Sequence, residues 1–139
     1  MNSVQKRYKM LDFPQLGDDR GNLVVLEEGN PVPFKIARLF YMYGTKPDVE
    51  RGQHANMKSE FLLVNLAGSC SIKVDDGMHK EIVKLNKAHQ GIYLEKMVWK
   101  IMFDFSVDSI LLVISNERYD PDEYIRDYKI FRKLIKSYG

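Results

Sequence analysis

Glu50-Arg51-Gly52-Gln53-His54-Ala55-Asn56-Met57-Lys58-Ser59-Glu60-Phe61-Leu62-Leu63-Val64-Asn65-Leu66-Ala67-Gly68-Ser69 is the stretch that decides the fold. Its second half, Phe61 to Ala67, is almost wholly apolar, the pattern of a strand covered on both faces. Gly68-Ser69 then ends the run with a turn signal. The first half carries a cation, an imidazole, a carboxamide and a carboxylate at close spacing: Arg51, His54, Asn56 and Glu60. His54 and Asn56 are two residues apart, so an extended chain turns them to the same face. A polar strand is thus backed by a buried one, and the candidate site lies here.

Working outward, short strands with turn signals between them dominate. Downstream, Cys70 to Val74 alternates, Asp75-Asp76-Gly77 is a hairpin turn, and strands follow at Glu81–Leu85, Gly91–Leu94, Val98–Phe105 and Ser109–Ser115. Upstream, a short strand is expected within residues 1–13 and another over Leu23–Glu27. Asn30-Pro31-Val32-Pro33 breaks the chain, because neither proline can donate to a ladder. Ile36 to Tyr43 is β-branched and aromatic, and Arg38 shares a face with Phe40 and Met42. That leaves two readings for Arg38, a surface arginine or an inward-pointing one that binds an anion. Only the end reads as helix, over about 121–137. Asp120 is its N-cap and Pro121 its first residue, and Tyr124, Ile125, Tyr128, Phe131, Leu134 and Ile135 recur at three-and-four spacing. The expected fold is all-β, a sandwich or barrel with a C-terminal α-helix, in one domain spanning 1–139.

Composition narrows the function classes. A net charge of +2 with dispersed Lys and Arg argues against a nucleic-acid partner. No apolar run reaches the roughly 18–20 residues that span a bilayer, so no membrane segment is expected. Met1 to Met10 lacks the apolar core of a signal peptide, which makes the cytoplasm the default location. The one cysteine, Cys70, sits in an apolar strand pattern and reads as a small buried hydrophobe.

The spacing His54-x-Asn56-x3-Glu60 resembles the first motif of the cupins, His-x-His followed by Glu. Here the second histidine position is Asn56, a poor metal ligand, and the region matching the second motif, Gly91 to Asp104, has no histidine. The expectation is a cupin-type jelly roll that uses no metal. Without a metal, one histidine in a barrel can still act as a general base. An arginine beside it can stabilise an enolate oxygen or hold a phosphate. That pairing suits proton abstraction next to a carbonyl.

The chain also resembles the dTDP-4-keto-6-deoxy-D-glucose 3,4-ketoisomerases, sugar-nucleotide cupins that precede aminotransferases in 3-amino-sugar pathways. The resemblance is carried by Asp19-Arg20-Gly21-Asn22-Leu23, Val32-Pro33-Phe34-Lys35-Ile36-Ala37-Arg38, Arg51-Gly52-Gln53-His54-Ala55, Leu66-Ala67-Gly68-Ser69-Cys70 and Asp75-Asp76-Gly77. It continues through Gly91-Ile92-Tyr93-Leu94, Val98-Trp99, Met102, Asp104-Phe105-Ser106 and Asp122-Glu123-Tyr124-Ile125-Arg126-Asp127-Tyr128. It implies a jelly-roll homodimer that isomerises a dTDP-linked 4-keto-6-deoxy sugar without a metal or other cofactor. His54 would shuttle the proton, with Arg51 and Asn56 beside it in the catalytic set. Arg38, Tyr93, Trp99, Lys100 and Glu60 would be the substrate contacts, although Tyr93, Trp99 and Lys100 also read as ordinary core or surface residues. The sequence departs from the family pattern twice: the motif's second histidine is Asn56, and the histidine usual after the tryptophan is Lys100. The product's C4 configuration is left open. A related cupin 3,5-epimerase and a sugar-nucleotide-binding module without turnover are the alternatives.

Overall fold

The computed structural model describes residues 5–138. Met1–Val4 and Gly139, the ends of the expected 1–139 domain, lie outside the described residues. The strands are, in order, β1 (Tyr8–Asp12), β2 (Glu27–Glu28), β3 (Pro31–Val32), β4 (Arg38–Tyr43), β5 (Arg51–Asn56) and β6 (Phe61–Ala67). They continue as β7 (Cys70–Asp75), β8 (Lys80–Leu85), β9 (Gln90–Leu94), β10 (Trp99–Phe103), β11 (Ile110–Ser115) and β12 (Tyr124–Ile125). One helix, α1, closes the chain at Tyr128–Tyr138.

Two five-stranded antiparallel sheets, ordered β1-β9-β6-β11-β4 and β12-β5-β10-β7-β8, pack face to face as a jelly roll. Between them lies the main core, which includes Phe61, Leu63, Ile92, Leu111 and Val113 from the first sheet and Ile72, Val74 and Met102 from the second. The apolar run of β6 is covered on both faces, as its sequence predicts. Phe61 and Leu63 point into the main core, while Leu62 and Val64 join Phe13, Val32, Phe34 and Ile114 in a second layer on the outer face. Cys70 is fully buried in the main core, where burial pushes its thiol up to about 12. The expected strand over Leu23–Glu27 does not form. Only Glu27–Glu28 makes a two-residue ladder with β3, and Val24 and Leu26 serve instead as packing for the second layer.

The C-terminal helix begins later than 121. Asp120 does cap the chain there, its side chain accepting from the Asp122 N–H at 3.0 Å, but the cap opens a single 3₁₀ turn at Pro121–Glu123. Tyr124 and Ile125 are then drawn into a ladder against Asn56 and Ala55 of β5, which takes them out of helical geometry. A second cap at Asp127, accepting from the Lys129 N–H at 2.8 Å, starts α1. The helix lays Phe131, fully buried, on the outer face of the second sheet against Trp99 and Ala55.

Phe131 fixes the helix to the sheet, so Phe131→Ala should lower stability by about 3–4 kcal/mol through lost burial and a residual cavity. Urea denaturation measures it. A loss below about 1 kcal/mol would mean that the helix contributes little to the folded state.

Candidate active site

The site is built on an irregularity in β5. Across the β5/β10 ladder, Lys100 pairs with His54 and Ile101 with Gly52, so Gln53 is an extra residue with no opposite number. Gly52 and Gln53 both take positive φ, +88° and +58°. Only glycine suits position 52, because a Cβ there would stand 2.9 Å from the Lys100 carbonyl oxygen. The bulge changes which side chains share a face. In a regular strand Arg51 and His54, three apart, would point to opposite sides of the sheet. Here Arg51, Gly52 and His54 line one cavity of about 160 Å³ together with Lys100, Met102, Phe40, Phe61 and Tyr124.

His54 sits with its ring 4.7 Å from that of Tyr124. Among the described residues no group hydrogen-bonds its Nδ1, which is buried. Burial, then the nearby Lys100 charge, lowers its pKa from 6.5 to about 3, with Arg126 adding to the effect and the Gly52 backbone opposing it. The imidazole is therefore neutral at physiological pH, with a lone pair available to take a proton.

Lys100, buried to 4% exposure, reaches the same cavity from β10. Its Nζ donates to Asn56 Oδ1 at 3.0 Å and lies 4.7 Å from the centre of the Phe61 ring. No carboxylate among the described residues pairs with it. Burial lowers its pKa from 10.5 to about 7, and the Coulomb field of Glu123 opposes part of that. Glu123 itself is buried and occupied: its carboxylate accepts from the backbone N–H groups of Lys58 at 2.8 Å and Ser59 at 2.9 Å, and from the Ser59 hydroxyl.

Of the residues singled out by sequence, the structure brings His54, Arg51 and Lys100 into one cavity, with Asn56 bound to Lys100. Arg38 shares the cavity-facing side of β4 with Phe40 and Met42 and stands farther out. Its guanidinium lies over Phe40 at 5.2 Å and Tyr119 at 5.7 Å, with two buried nitrogens that no described residue accepts from. Three expected contacts lie elsewhere. Trp99 neighbours Lys100 on a strand and so faces the other way, edge-on to Tyr128 at 5.2 Å beneath α1. Tyr93 lies in the outer layer for the same reason, between the inward Ile92 and Leu94, and donates its hydroxyl to Glu60. The other oxygen of Glu60 accepts from Asn116 Nδ2 at 3.1 Å, so this carboxylate links β9 to the segment after β11, outside the cavity. The residue that sequence reasoning missed is Tyr124. It was read as part of a helix, and its ladder with β5 has no local sequence signal.

The family model described as "FdtA: WxcM-like, C-terminal" matches residues 6–136. The chain belongs to this family. It is 40% identical, over 91% of each chain, to a TDP-4-oxo-6-deoxy-alpha-D-glucose-3,4-oxoisomerase of Aneurinibacillus thermoaerophilus. It is 42% identical to the solved TDP-fucose-3,4-ketoisomerase WlaRA of Campylobacter jejuni, at a TM-score of 0.90 over 96% of this chain and 98% of that one. The 3,4-ketoisomerase QdtA of Thermoanaerobacterium thermosaccharolyticum is 30% identical, at a TM-score of 0.92 over 97% of this chain and 98% of that one. It has been solved as a histidine-to-asparagine variant in complex with TDP-4-keto-6-deoxyglucose. The chain is thus an isomerase-family enzyme with the cupin-type jelly roll expected from its sequence. Among the described residues no helix is long and apolar enough to cross a membrane.

The burial of His54 has a direct readout. The unfolded ring charges near pH 6.5 and the folded one near 3, so folding loses stability as pH falls through that window, by at most about 1.4 kcal/mol per pH unit. In a ¹⁵N NMR titration the His54 ring nitrogens should keep the shifts of a neutral imidazole down to about pH 5. Ring protonation with a midpoint above 6 would place the ring in water.

Proposed function

We propose that this cavity converts TDP-4-keto-6-deoxyglucose to the 3-keto isomer by proton transfer, with His54 as the base. The observation that carries the reading is a neutral imidazole with a free nitrogen, fixed beside cationic side chains in a partly apolar cavity. The C3–H bond of a 4-keto sugar is acidified by the adjacent carbonyl. His54 takes that proton, the C–H electron pair forms the C3–C4 double bond, and the carbonyl pair moves to O4. The same imidazolium returns the proton at C4 as the O3–H bond breaks, its proton passing to O4 and its electron pair becoming the C3 carbonyl. Arg51, at the cavity, and Arg38, beyond it, provide fixed positive charge for the diphosphate or for the developing oxyanion. The donor set supports chemistry without a metal, since no three His, Cys, Asp or Glu side chains come together among the described residues. The likeness to enzymes named for this reaction supports the substrate class.

Incubation with TDP-4-keto-6-deoxyglucose in D2O should give exchange at C3 and C4 together with a 3-keto product. Exchange at C3 and C5 would make the chain an epimerase, and neither exchange nor a 3-keto product would make it a binding module. His54→Asn keeps size and hydrogen bonding but cannot accept a proton at neutral pH. It should lower kcat by about 10²–10⁴-fold with a smaller change in KM. Turnover within about threefold of wild type would make His54 structural.

We also infer that the working form is a homodimer. Leu39, Tyr41 and Tyr43 of β4, the edge strand of the first sheet, are 58%, 59% and 72% exposed in the single chain, and the family likeness points the same way. Light scattering at micromolar concentration should give twice the 16.2 kDa chain mass. A clean monomer would overturn this.

A further inference from the structure

We propose that Lys100 is the second acid–base group of the reaction, giving a proton to substrate O4 and taking one from O3 while His54 carries the carbon-bound proton. The inference rests on the isomerase reading above and assigns a role to a residue that stands where the family pattern has histidine.

Three features of the structure lead to it. The first is position: the β5/β10 register sets Lys100 directly across from His54, and both side chains line the one cavity. The second is the lack of a counter-ion. A buried ammonium is costly unless paired, and a lysine kept for structure normally finds a carboxylate. Here the Nζ has a neutral acceptor, Asn56 Oδ1, and an aromatic face, Phe61. Glu123, the nearest acid in the electrostatics of the site, is already saturated by two backbone N–H groups and a hydroxyl. The third is the chemistry left over. Moving a ketone from C4 to C3 relocates one carbon-bound proton and one hydroxyl proton. A single imidazole handles the first. Of the other polar side chains lining the cavity, Arg51 holds its protons too firmly, and the Tyr124 phenol is a competitor that Tyr124→Phe removes.

The step balances. As His54 removes the C3 proton, the Lys100 ammonium gives one proton to O4, leaving a neutral amine and an enediol. The amine then takes the O3 proton as that bond's electron pair forms the C3 carbonyl, and the His54 imidazolium protonates C4. Both side chains return to their starting states, with no net proton taken up.

Several charges face Lys100 or its partner and set the pH dependence. From β5 come His54 and Arg51, from the 3₁₀ turn Glu123, and from the segment after β12 Arg126, which acts on His54. Across the sheet, β7 presents Val74, and β6 presents the Phe61 ring. With Lys100 titrating near 7 and His54 near 3, the competent pair of protonated lysine and neutral imidazole prevails between those values. Activity should then fall about tenfold per pH unit above 7.

The test measures kcat and KM from pH 5 to 9 for wild type, Lys100→Arg, Lys100→Met and Tyr124→Phe, after melting curves show each variant folded. Lys100→Arg keeps the charge but cannot exchange a proton. It should lose at least 10²-fold in kcat with KM within a few-fold, and its alkaline limb should vanish. Lys100→Met should lose as much, while Tyr124→Phe should keep the limb. A Lys100→Arg enzyme within threefold of wild type, with the limb unchanged, overturns the inference and leaves the isomerase reading standing. A wild-type chain that forms no 3-keto product overturns both. If the variants do not fold, ¹³C-lysine-labelled wild type gives the answer directly. A Cε signal with a midpoint near 7 supports the assignment, and no lysine moving below pH 9 sinks it.

Discussion

The site depends on one close approach, that of the Gly52 backbone to the carbonyl of Lys100. With no side chain at Gly52, β5 can carry an extra residue while staying hydrogen-bonded to β10. The bulge moves Arg51 to the same side as His54 and keeps His54 opposite Lys100. The apolar walls from β6, β10 and β11 then remove water from both nitrogen bases. The Lys100 charge further disfavours a proton on His54, so the lowered basicity of the imidazole is partly the doing of Lys100. Among the described residues no carboxylate lines this wall, so the cavity concentrates positive potential, an arrangement that favours an anionic ligand.

Much of this was legible in the sequence, for physical reasons that are specific to particular stretches. The run Phe61–Ala67 could be read as a strand covered twice because each of its faces meets a separate apolar layer, so neither face had to be polar. His54 and Asn56 were placed together correctly by period-two geometry, since both lie on the C-terminal side of the bulge. The same rule fails for Arg51. A register shift depends on what the facing strand does, and β10 lies more than forty residues away in sequence.

The misplacements have a common cause. Trp99 and Lys100 are adjacent, so a strand cannot turn both inward, and the aromatic one went to the layer under the helix. Tyr93 and Glu60 are linked to each other outside the cavity, a side-chain contact between distant positions that no local pattern announces. At the C-terminus, Asp120 and Pro121 gave a true start signal for a helical turn. What followed was decided by ladder hydrogen bonds to β5, a long-range competitor that overrode local propensity at Tyr124 and Ile125.

That late strand has a consequence for how the enzyme comes into being. Glu123 ties down the turn after β5, and Tyr124 covers His54, so the wall of the cavity is finished by residues near the end of the chain. Synthesis proceeds from the N-terminus, and both bases leave the ribosome well before their cover does. Until Tyr124 arrives, the β5 edge has no partner strand and His54 lacks its lid. The chain is therefore assembled in an order in which both bases are laid down before the ring that covers His54.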